Sequence, residues 1–159
     1  MRSFLTDKPL MVLYGFLADR IGIMYTPDFQ ALGRVVDGKL IGVIGFNNFN
    51  GASCQMHAAG DTPRWASRGF IETAFRYVFL QRELNMVFAL VPSDCQRARE
   101  IDLRLGFKEL MVLKGAHPAG ALHMLRMRKS ECRWLERKSH GQERYTDASG
   151  PRAAGCSLH

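Results

Sequence analysis

The sequence predicts a single α/β domain in which an antiparallel meander is joined to a parallel strand pair through a crossover helix. Two strand-like runs flank the dipeptide Asp37-Gly38, which is a strong β-hairpin signal. Between residues 52 and 91, a strand, a small-residue loop, a helix and a second strand follow one another. Strands joined by a helical crossover pair in parallel, so the sheet is mixed. A chain of 159 residues with 47% hydrophobic content is sufficient for one core.

The first third of the chain predicts a helix and then the meander. Asp7 is the predicted N-cap of a helix that begins near Pro9, carries one apolar stripe and stops at Gly22. A turn at Asn50-Gly51 separates the last two strands of the meander. The three strands are expected at residues 31–36, 39–46 and 52–59.

The second half predicts the crossover and a closing strand pair. Apolar residues at helical spacing indicate one helix over residues 67–82, which leads into a buried strand at residues 86–91. A further helix begins at Asp94 and stops at Gly106. The closing strands are expected at residues 108–114 and 122–127, around the turn at residues 117–120.

The domain is predicted to occupy residues 1–137. Residues 128–137 are expected to form a short final helix. Residues 138–159 are polar, rich in Gly and Ser and nearly free of large apolar side chains, which predicts a disordered C-terminal tail.

Composition narrows the classes of partner. A net charge of +7 and a pI near 9.6 suit an acidic partner, either the phosphates of a cofactor or a nucleic acid. No apolar run is long enough to span a bilayer and no signal-peptide core follows Met1, so we expect a cytoplasmic protein without a membrane partner. The four cysteines form no close pairs, which predicts free thiols and no metal site.

Residues 64–69 are the most informative segment. They link a predicted strand to a predicted helix, and the unpaired N–H groups of a first helical turn favour an anion such as phosphate. Arg64 and Arg68 can add charge-assisted hydrogen bonds to it. A solvated basic surface at the start of a helix is the alternative interpretation.

Two motifs resemble the GCN5-related N-acetyltransferase (GNAT) superfamily. Its diphosphate loop reads Arg/Gln-x-x-Gly-x-Gly/Ala, and Arg64, Ser67 and Gly69 fall on the fixed positions, with Ser67 in place of the first glycine. The resemblance covers residues 29–127 and is strongest to short phage-encoded members. The second motif of the family, Asn-x-x-Ala-x-x-Leu-Tyr-x-x-Leu-Gly-Phe, aligns with Cys95, Ala98, Ile101, Asp102, Leu105, Gly106 and Phe107.

This resemblance implies acetyl-CoA as co-substrate. The two parallel strands would diverge at their C-terminal ends, and the pantetheine arm would pair with the first of them through the backbone of Met56, His57 and Ala58. One of those N–H groups would polarise the thioester carbonyl. The diphosphate would lie on the N–H groups of the loop. The implied cofactor-binding residues are therefore Met56, His57, Ala58, Arg64, Trp65, Ala66, Ser67, Arg68, Gly69 and Cys95.

The resemblance also implies two catalytic positions. His57 would accept the proton of the attacking amine, directly or through water, although a histidine on a buried strand also serves as a hydrogen-bonded core residue. Asp102 stands where the family has a tyrosine that protonates the leaving thiolate. An ordinary aspartate is ionised near neutrality and has no proton to donate, so this role requires a strongly raised pKa. A solvated aspartate on the helix face is the alternative.

Four further side chains each allow two interpretations from the sequence. Asn47, Asn48 and Asn50 lie where family members bind the acceptor, and their amides would either orient a polar substrate or form a turn. Cys95 lies at a helix start that would depress its pKa and make it nucleophilic, whereas direct transfer in the family leaves it to cap the helix or to pack.

The predicted function is therefore acetyl transfer from acetyl-CoA to an amine by direct attack. A catalytically reduced GNAT-fold protein that binds nucleic acid, or serves as a phage accessory, is the alternative, suggested by the missing tyrosine, the altered glycine and the basic balance. In a phage-encoded protein the compartment would be the host cytoplasm. Exposed edge strands would allow a homodimer. The sequence leaves the acceptor and the length of the acyl chain open.

Overall fold

The computed structural model describes residues 2–136 and the two-residue strand Arg144–Tyr145. The domain boundary at residue 137 and nearly all of the predicted disordered tail lie outside the described residues. Three α-helices are present within these described residues: α1 (Leu10–Ile21), α2 (Arg68–Arg76) and α3 (Gln96–Leu105). The strands are β1 (Ser3–Thr6), β2 (Gln30–Val36), β3 (Lys39–Asn47), β4 (Ser53–Gly60), β5 (Met86–Pro92), β6 (Lys108–His117), β7 (Gly120–Arg128) and β8 (Arg144–Tyr145).

All eight strands form one mixed sheet in the order β6-β7-β5-β4-β3-β2-β1-β8. The predicted meander β2-β3-β4 is antiparallel, and the predicted crossover through α2 makes β4 and β5 parallel. Asp37 and Gly38 both have positive φ, 48° and 81°, as the two central residues of a type I′ hairpin require. The predicted α/β class and connectivity are thus confirmed.

Helices cover both faces of the sheet. Gly33 and Val43 are register partners, so Gly33 and the neighbouring Gly42 of the paired strand point to opposite faces. Leu13 of α1 lies against Gly33, whereas Trp65, just before α2, lies against Gly42. The core therefore has two layers, one under α1 and one under α2.

Two glycines end helices as predicted. Gly22 follows α1 with φ 66°, and Gly106 follows α3 with φ 113°, both in the left-handed region that favours glycine. The start of α1 differs from the prediction, because its N-cap is Pro9 and Asp7 is buried before it. The Thr6 hydroxyl bonds both the carbonyl and the N–H of Lys8, which holds this segment in a turn until the helix begins.

Three further elements depart from the sequence prediction. The helix predicted over residues 67–82 is α-helical only to Arg76 and continues as a π-helical segment, Tyr77–Gln81. The final helix predicted at residues 128–137 is instead two 3₁₀ turns, Lys129–Glu131 and Arg133–Leu135. Strand β1 was not predicted, because four residues with one fully buried side chain, Leu5, give no readable alternation.

Candidate active site

The two parallel strands diverge in the middle of the sheet. β4 and β5 pair only over three residues, from Ser53↔Met86 to Gln55↔Phe88, although β4 continues to Gly60 and β5 to Pro92. β5 keeps β7 as its partner on the other side along its whole length. The edge of β4 that faces β5 is thus open beyond Gln55, as the resemblance implied.

A cavity of about 440 Å³, here called the splay cavity, lies at this divergence. It is bounded by the last residues of β4, the loop before α2 and the inner side of α3. Its lining residues are Ala58, Ala59, Gly60, Asp61, Thr62, Pro63, Trp65, Cys95, Arg97, Ala98, Ile101, Asp102 and Leu105. Of the three β4 residues predicted to hold the pantetheine arm, Ala58 lines the cavity, whereas Met56 and His57 are buried next to it.

The loop before α2 is held by two arginines from distant elements. Arg20 at the end of α1 binds both carboxylate oxygens of Asp61, at 2.6 Å and 2.9 Å, and this hydrogen bonding lowers the pKa of Asp61. The buried Arg34 of β2 donates from Nη1 to the carbonyl oxygen of Arg64 at 2.6 Å. The loop is therefore positioned by α1 and β2, and sequence reasoning missed both contacts because they join residues 30 or more positions apart.

Trp65 is seated on a pair of glycines. Gly42 and Gly60 are register partners on β3 and β4. A Cβ atom on Gly60 would lie 1.9 Å from Trp65 Cγ, and one on Gly42 would lie 2.9 Å from Trp65 Cε3. The indole therefore needs both glycines. Its backbone N–H donates to the carbonyl of Thr62 at 3.1 Å, which removes Trp65 from the N–H groups predicted to bind diphosphate.

The start of α2 keeps part of its predicted donor set. Ser67 is the N-cap, and its hydroxyl accepts the N–H of Phe70 at 3.3 Å, so this side chain serves the helix. The N–H groups of Arg68 and Gly69, in the first turn, have no acceptor within a helix. The Arg68 guanidinium is paired with Glu72 at 2.7 Å, whereas Arg64 is exposed. Ala66 is half-buried beside these residues.

Asp102 has a buried carboxyl in the wall of the splay cavity. Only 2% of the residue is exposed, and Oδ2 has no hydrogen-bond partner within residues 2–136. Burial raises the pKa of Asp102 to about 8, so the carboxyl is mainly neutral at pH 7. The solvated helix-face aspartate considered from the sequence is therefore wrong, because α3 turns this position toward the sheet.

His57 forms a buried pair on β4 with Asn47 of β3. The Nε2 atom of His57 lies 3.3 Å from Oδ1 of Asn47, and both residues are about 5% exposed or less. The His57 ring does not line the splay cavity. His57 thus has the hydrogen bond of a core histidine and makes no direct contact with the cavity.

The two other asparagines are engaged locally. Asn50 accepts hydrogen bonds from the N–H groups of Ala52 and Ser53 at 2.9 Å and 2.8 Å, which makes it a turn residue. Asn48 donates to Gln55 at 3.0 Å. Of the three predicted acceptor-binding amides, the structure therefore assigns Asn50 to the turn.

Cys95 lies at the N-cap of α3 and lines the splay cavity, yet it is neither a side-chain cap nor an activated thiol. Its side chain makes no capping hydrogen bond, and Sγ donates to Asp94 at 3.6 Å. Partial burial and the adjacent Asp94 carboxylate raise the pKa of Cys95. The depressed pKa expected from the helix start is therefore wrong.

The described residues hold neither a metal-binding cluster nor a membrane-spanning helix. No group of three His, Cys, Asp or Glu side chains there could hold a metal ion. No helix in the part of the chain that the structure describes has the length and apolar character needed to cross a membrane.

Solved structures share this arrangement of strands and helices. A point mutant of the spermidine N-acetyltransferase SpeG from Vibrio cholerae is 15% identical, covers 84% of this chain and 96% of its own, and gives a TM-score of 0.67. The fold is that of the GNAT acetyltransferases. The N-acetyltransferase PseH from Campylobacter jejuni, solved with acetyl-CoA, is 17% identical over 65% of this chain and 70% of its own, with a TM-score of 0.50. A GNAT-family acetyltransferase from Bacillus anthracis is 12% identical over 64% of this chain and 68% of its own, with a TM-score of 0.55.

Sequence comparison adds nothing to this GNAT likeness. No protein-family model and no curated protein matches the chain. These three structures are 12% to 17% identical to this chain, and at that level the likeness establishes a common fold. The function therefore depends on the residues of the site rather than on the fold.

Proposed function

We propose that this GNAT-fold chain is an acyl-CoA-dependent N-acetyltransferase that transfers an acetyl group from acetyl-CoA to an amine by direct attack. The observation that carries the proposal is the unpaired divergence of β4 and β5, with the splay cavity between β4, the loop and α3. An open strand edge beside a cavity suits an extended, amide-bearing arm, because the arm can add to the edge as another strand would.

Donor binding in this proposal uses backbone groups. The pantetheine amides bond the open edge of β4 around Met56, His57 and Ala58, and one N–H there polarises the thioester carbonyl. The diphosphate lies on the N–H groups from Ala66 to Gly69, at the start of α2, with Arg64 beside them. The capping hydroxyl of Ser67 supports this role by fixing the first turn.

Asp102 is the proposed general acid. When the amine nitrogen forms its bond to the carbonyl carbon and the C–S bond breaks, the departing sulfur takes the proton of the neutral Asp102 carboxyl. The carboxylate left behind regains a proton from solvent. The raised pKa and the cavity position of Asp102 support the role that a tyrosine has in the family.

His57 is the proposed base, acting through water because its ring does not line the splay cavity. Asn47, hydrogen-bonded to its Nε2, fixes the ring orientation. The proposal specifies an amine acceptor near Asn47 and Asn48 and nothing narrower. We place the reaction in the cytoplasm, in the host if the chain is phage-encoded, where the free thiols Cys54, Cys95 and Cys132 persist.

A homodimer along β6 is part of the proposal. β6 is the outermost strand at one edge of the sheet, and its residues Leu110, Met111 and Val112 are 43% to 51% exposed. Apolar edge strands without charges at their centre tend to pair with another strand. Sedimentation equilibrium of wild type and Met111→Lys tests this: a dimer that the variant weakens is expected, and a wild-type monomer at high concentration contradicts it.

Calorimetry with acetyl-CoA tests the cofactor site. Arg64→Glu and Gly69→Trp should each weaken binding at least tenfold, because one removes a phosphate partner and the other blocks approach to the first turn, a loss of about 1.4 kcal/mol or more. Arg128→Glu, at the far end of β7, makes the same charge change away from the cavity and is the control. If all four proteins bind acetyl-CoA equally, the proposed site is wrong.

The second candidate is a nucleic-acid-binding module, favoured by the net charge of +7 and by the replacement of the family tyrosine. Binding to phosphate backbones would weaken steeply with salt, with a log–log slope of about −0.9 per phosphate contacted. Acetyl-CoA-dependent turnover of an amine, or CoA retained through purification, would decide for the transferase.

A further inference from the structure

One face of the strands β5, β7 and β6 carries an apolar surface that is not part of the core. This surface, here called the apolar strip, consists of two rows of register partners: Leu90, Met124 and Met111 across the three strands, and Leu122 and Leu113 beside them on β7 and β6. None of the five belongs to the hydrophobic core of the described residues or packs against it. Met111 is 51% exposed and the other four are half-buried. The strip is therefore open to a ligand from solution.

The apolar strip lies on the same face of the sheet as His57. Gln55 and Phe88 are the last register partners of β4 and β5. Because side chains alternate along a strand, His57 and Leu90, two residues further on, both point to the face of Gln55 and Phe88. Ala58 points to the opposite face, where it lines the splay cavity. The unpaired stretch of β4 and β5 thus lies between the donor cavity on one face and the strip on the other.

The charges on this face disfavour a cationic ligand. The side chains that β5, β6 and β7 direct to it include no carboxylate. Its cations, Lys108, Arg126 and Arg128, lie together at one end, where Lys108 and Arg126 bind Glu131 at 3.4 Å and 2.6 Å. An ammonium group on the strip would lose hydration without gaining a counterion, whereas an uncharged apolar group would gain by leaving water.

From this arrangement we propose that the apolar strip binds the body of the acceptor, and that the acceptor is a monoamine with an uncharged apolar body. The inference depends on the proposed function, in which the amine gives its proton to His57 through water. As its nitrogen bonds the acetyl carbon, the C–S bond breaks and the sulfur takes the proton of Asp102. Leu90, Met124 and Met111 span two strand spacings, about 10 Å, which an alkyl chain of about eight carbons matches.

Steady-state acetyl transfer to n-butylamine, n-octylamine and 1,8-diaminooctane tests this proposal. Each methylene buried on the strip should raise kcat/KM about fourfold, so n-octylamine should exceed n-butylamine by on the order of 10²-fold. The diamine has the same chain but would place a second ammonium group on the strip. Its kcat/KM should therefore be lower than that of n-octylamine by about tenfold or more.

Variants of the middle strand locate the effect. Met124→Gln and Leu122→Gln should each lower kcat/KM for n-octylamine by about tenfold and change that for n-butylamine much less, because the shorter chain covers less of the strip. Met124→Glu would supply a counterion and should raise the ratio of 1,8-diaminooctane to n-octylamine about fivefold. Leu80→Gln makes the same apolar-to-amide change at a residue 43% exposed in the π-helical segment, outside the strip, and should keep the wild-type ratios.

The outcomes separate this inference from the proposed function. Equal kcat/KM of wild type for n-butylamine and n-octylamine, or a preference for the diamine, overturns the apolar acceptor and leaves the transferase in place. No binding of acetyl-CoA to wild type overturns both. If Met124→Gln dissociates a wild-type dimer in sedimentation equilibrium and leaves the chain-length ratio unchanged, the strip contacts a second copy of the chain and the inference is wrong. Met124 and Leu122 are only half-buried, so circular dichroism should report folded variants.

Discussion

At the scale of the residue, Asp102 is the group whose chemistry is most altered by the fold. Its carboxyl is buried, Oδ2 has no hydrogen-bond partner among the described residues, and the pKa is about 8, whereas an unfolded aspartate has a pKa near 4. The folded state therefore holds a proton that the unfolded state releases. This stabilisation is complete below about pH 4 and is lost as the pH rises toward 8.

The first prediction follows from the loss of stability as Asp102 ionises. Asp102→Asn keeps the shape but cannot ionise, so the variant should be more stable than wild type at pH 8 to 9, with a difference that shrinks toward pH 4. Thermal unfolding midpoints across this range measure it. A wild-type protein that keeps its full stability relative to the variant at pH 9 would contradict the raised pKa.

The second prediction concerns the rate of acetyl transfer. Wild-type kcat should fall as the pH rises through about 8, because Asp102 ionises and loses its proton. Asp102→Asn should lower kcat by about 10² to 10⁴ and abolish that pH limb, with little change in donor affinity. If kcat of the variant still falls as the pH rises through 8, the ionisation of another group causes that fall.

At the scale of the element, contacts between distant segments decide where the loop lies. Trp65 fills the space above the paired Gly42 and Gly60, and Arg34 and Arg20 hold the loop on either side of it. The loop motif was readable from the sequence. The contacts that hold the loop in place were not readable, because the sequence does not show that Gly42 and Gly60 are paired on neighbouring strands until the register is known.

The third prediction tests the packing of Trp65 against Gly42 and Gly60. Gly60→Ala places a methyl group within 2 Å of the Trp65 ring, so it should destabilise the fold by about 1–3 kcal/mol and weaken acetyl-CoA binding by moving the loop. Gly15→Ala, in the open middle of α1, is the control and should be neutral or stabilising. In a Trp65→Ala background the cost of Gly60→Ala should shrink, and an equal cost there would exclude the contact as its cause.

The fourth prediction concerns the junction of α3 with the last two strands. The carboxylate of Glu109 on β6 is hydrogen-bonded to Arg99 of α3 and to His123 of β7. The hydrogen bond from Arg99 contributes most to lowering the pKa of Glu109, which is about 2. This stabilisation is present above the ordinary glutamate pKa of about 4.3 and is lost as the pH falls toward 2. Glu109→Gln should therefore be less stable than wild type at pH 6, with the gap closing by pH 2 in urea titrations. A stability difference that stays constant from pH 6 to pH 2 would contradict the lowered pKa of Glu109.

At the scale of the whole molecule, the sequence predicted connectivity better than boundaries. The hairpin at Asp37-Gly38, the crossover and both glycine stops depend on local chemistry and are present. The burial of Asp102 was left open, because sequence spacing does not tell which face of a mainly polar helix meets the sheet. The π-helical segment after Arg76 was also unpredicted, since its apolar residues fit a continuous α-helix equally well.

Charge is the property of the whole chain that bears on its encounter with the proposed donor. The net charge is +7, Arg97 is exposed in the wall of the splay cavity, and Arg64 is exposed in the loop before α2, so the approach of the proposed anionic donor should be steered electrostatically. Salt shortens the screening length from about 10 Å at 0.1 M to about 3 Å at 1 M. The association rate constant for acetyl-CoA in stopped-flow experiments should therefore fall steeply over this range, while the dissociation rate constant changes less. Arg128→Gln should retain most of this salt dependence and Arg97→Gln should lose part of it, because only the latter removes a charge at the cavity. Identical salt slopes for the two variants would mean that the net charge, rather than the placement of these arginines, governs the encounter.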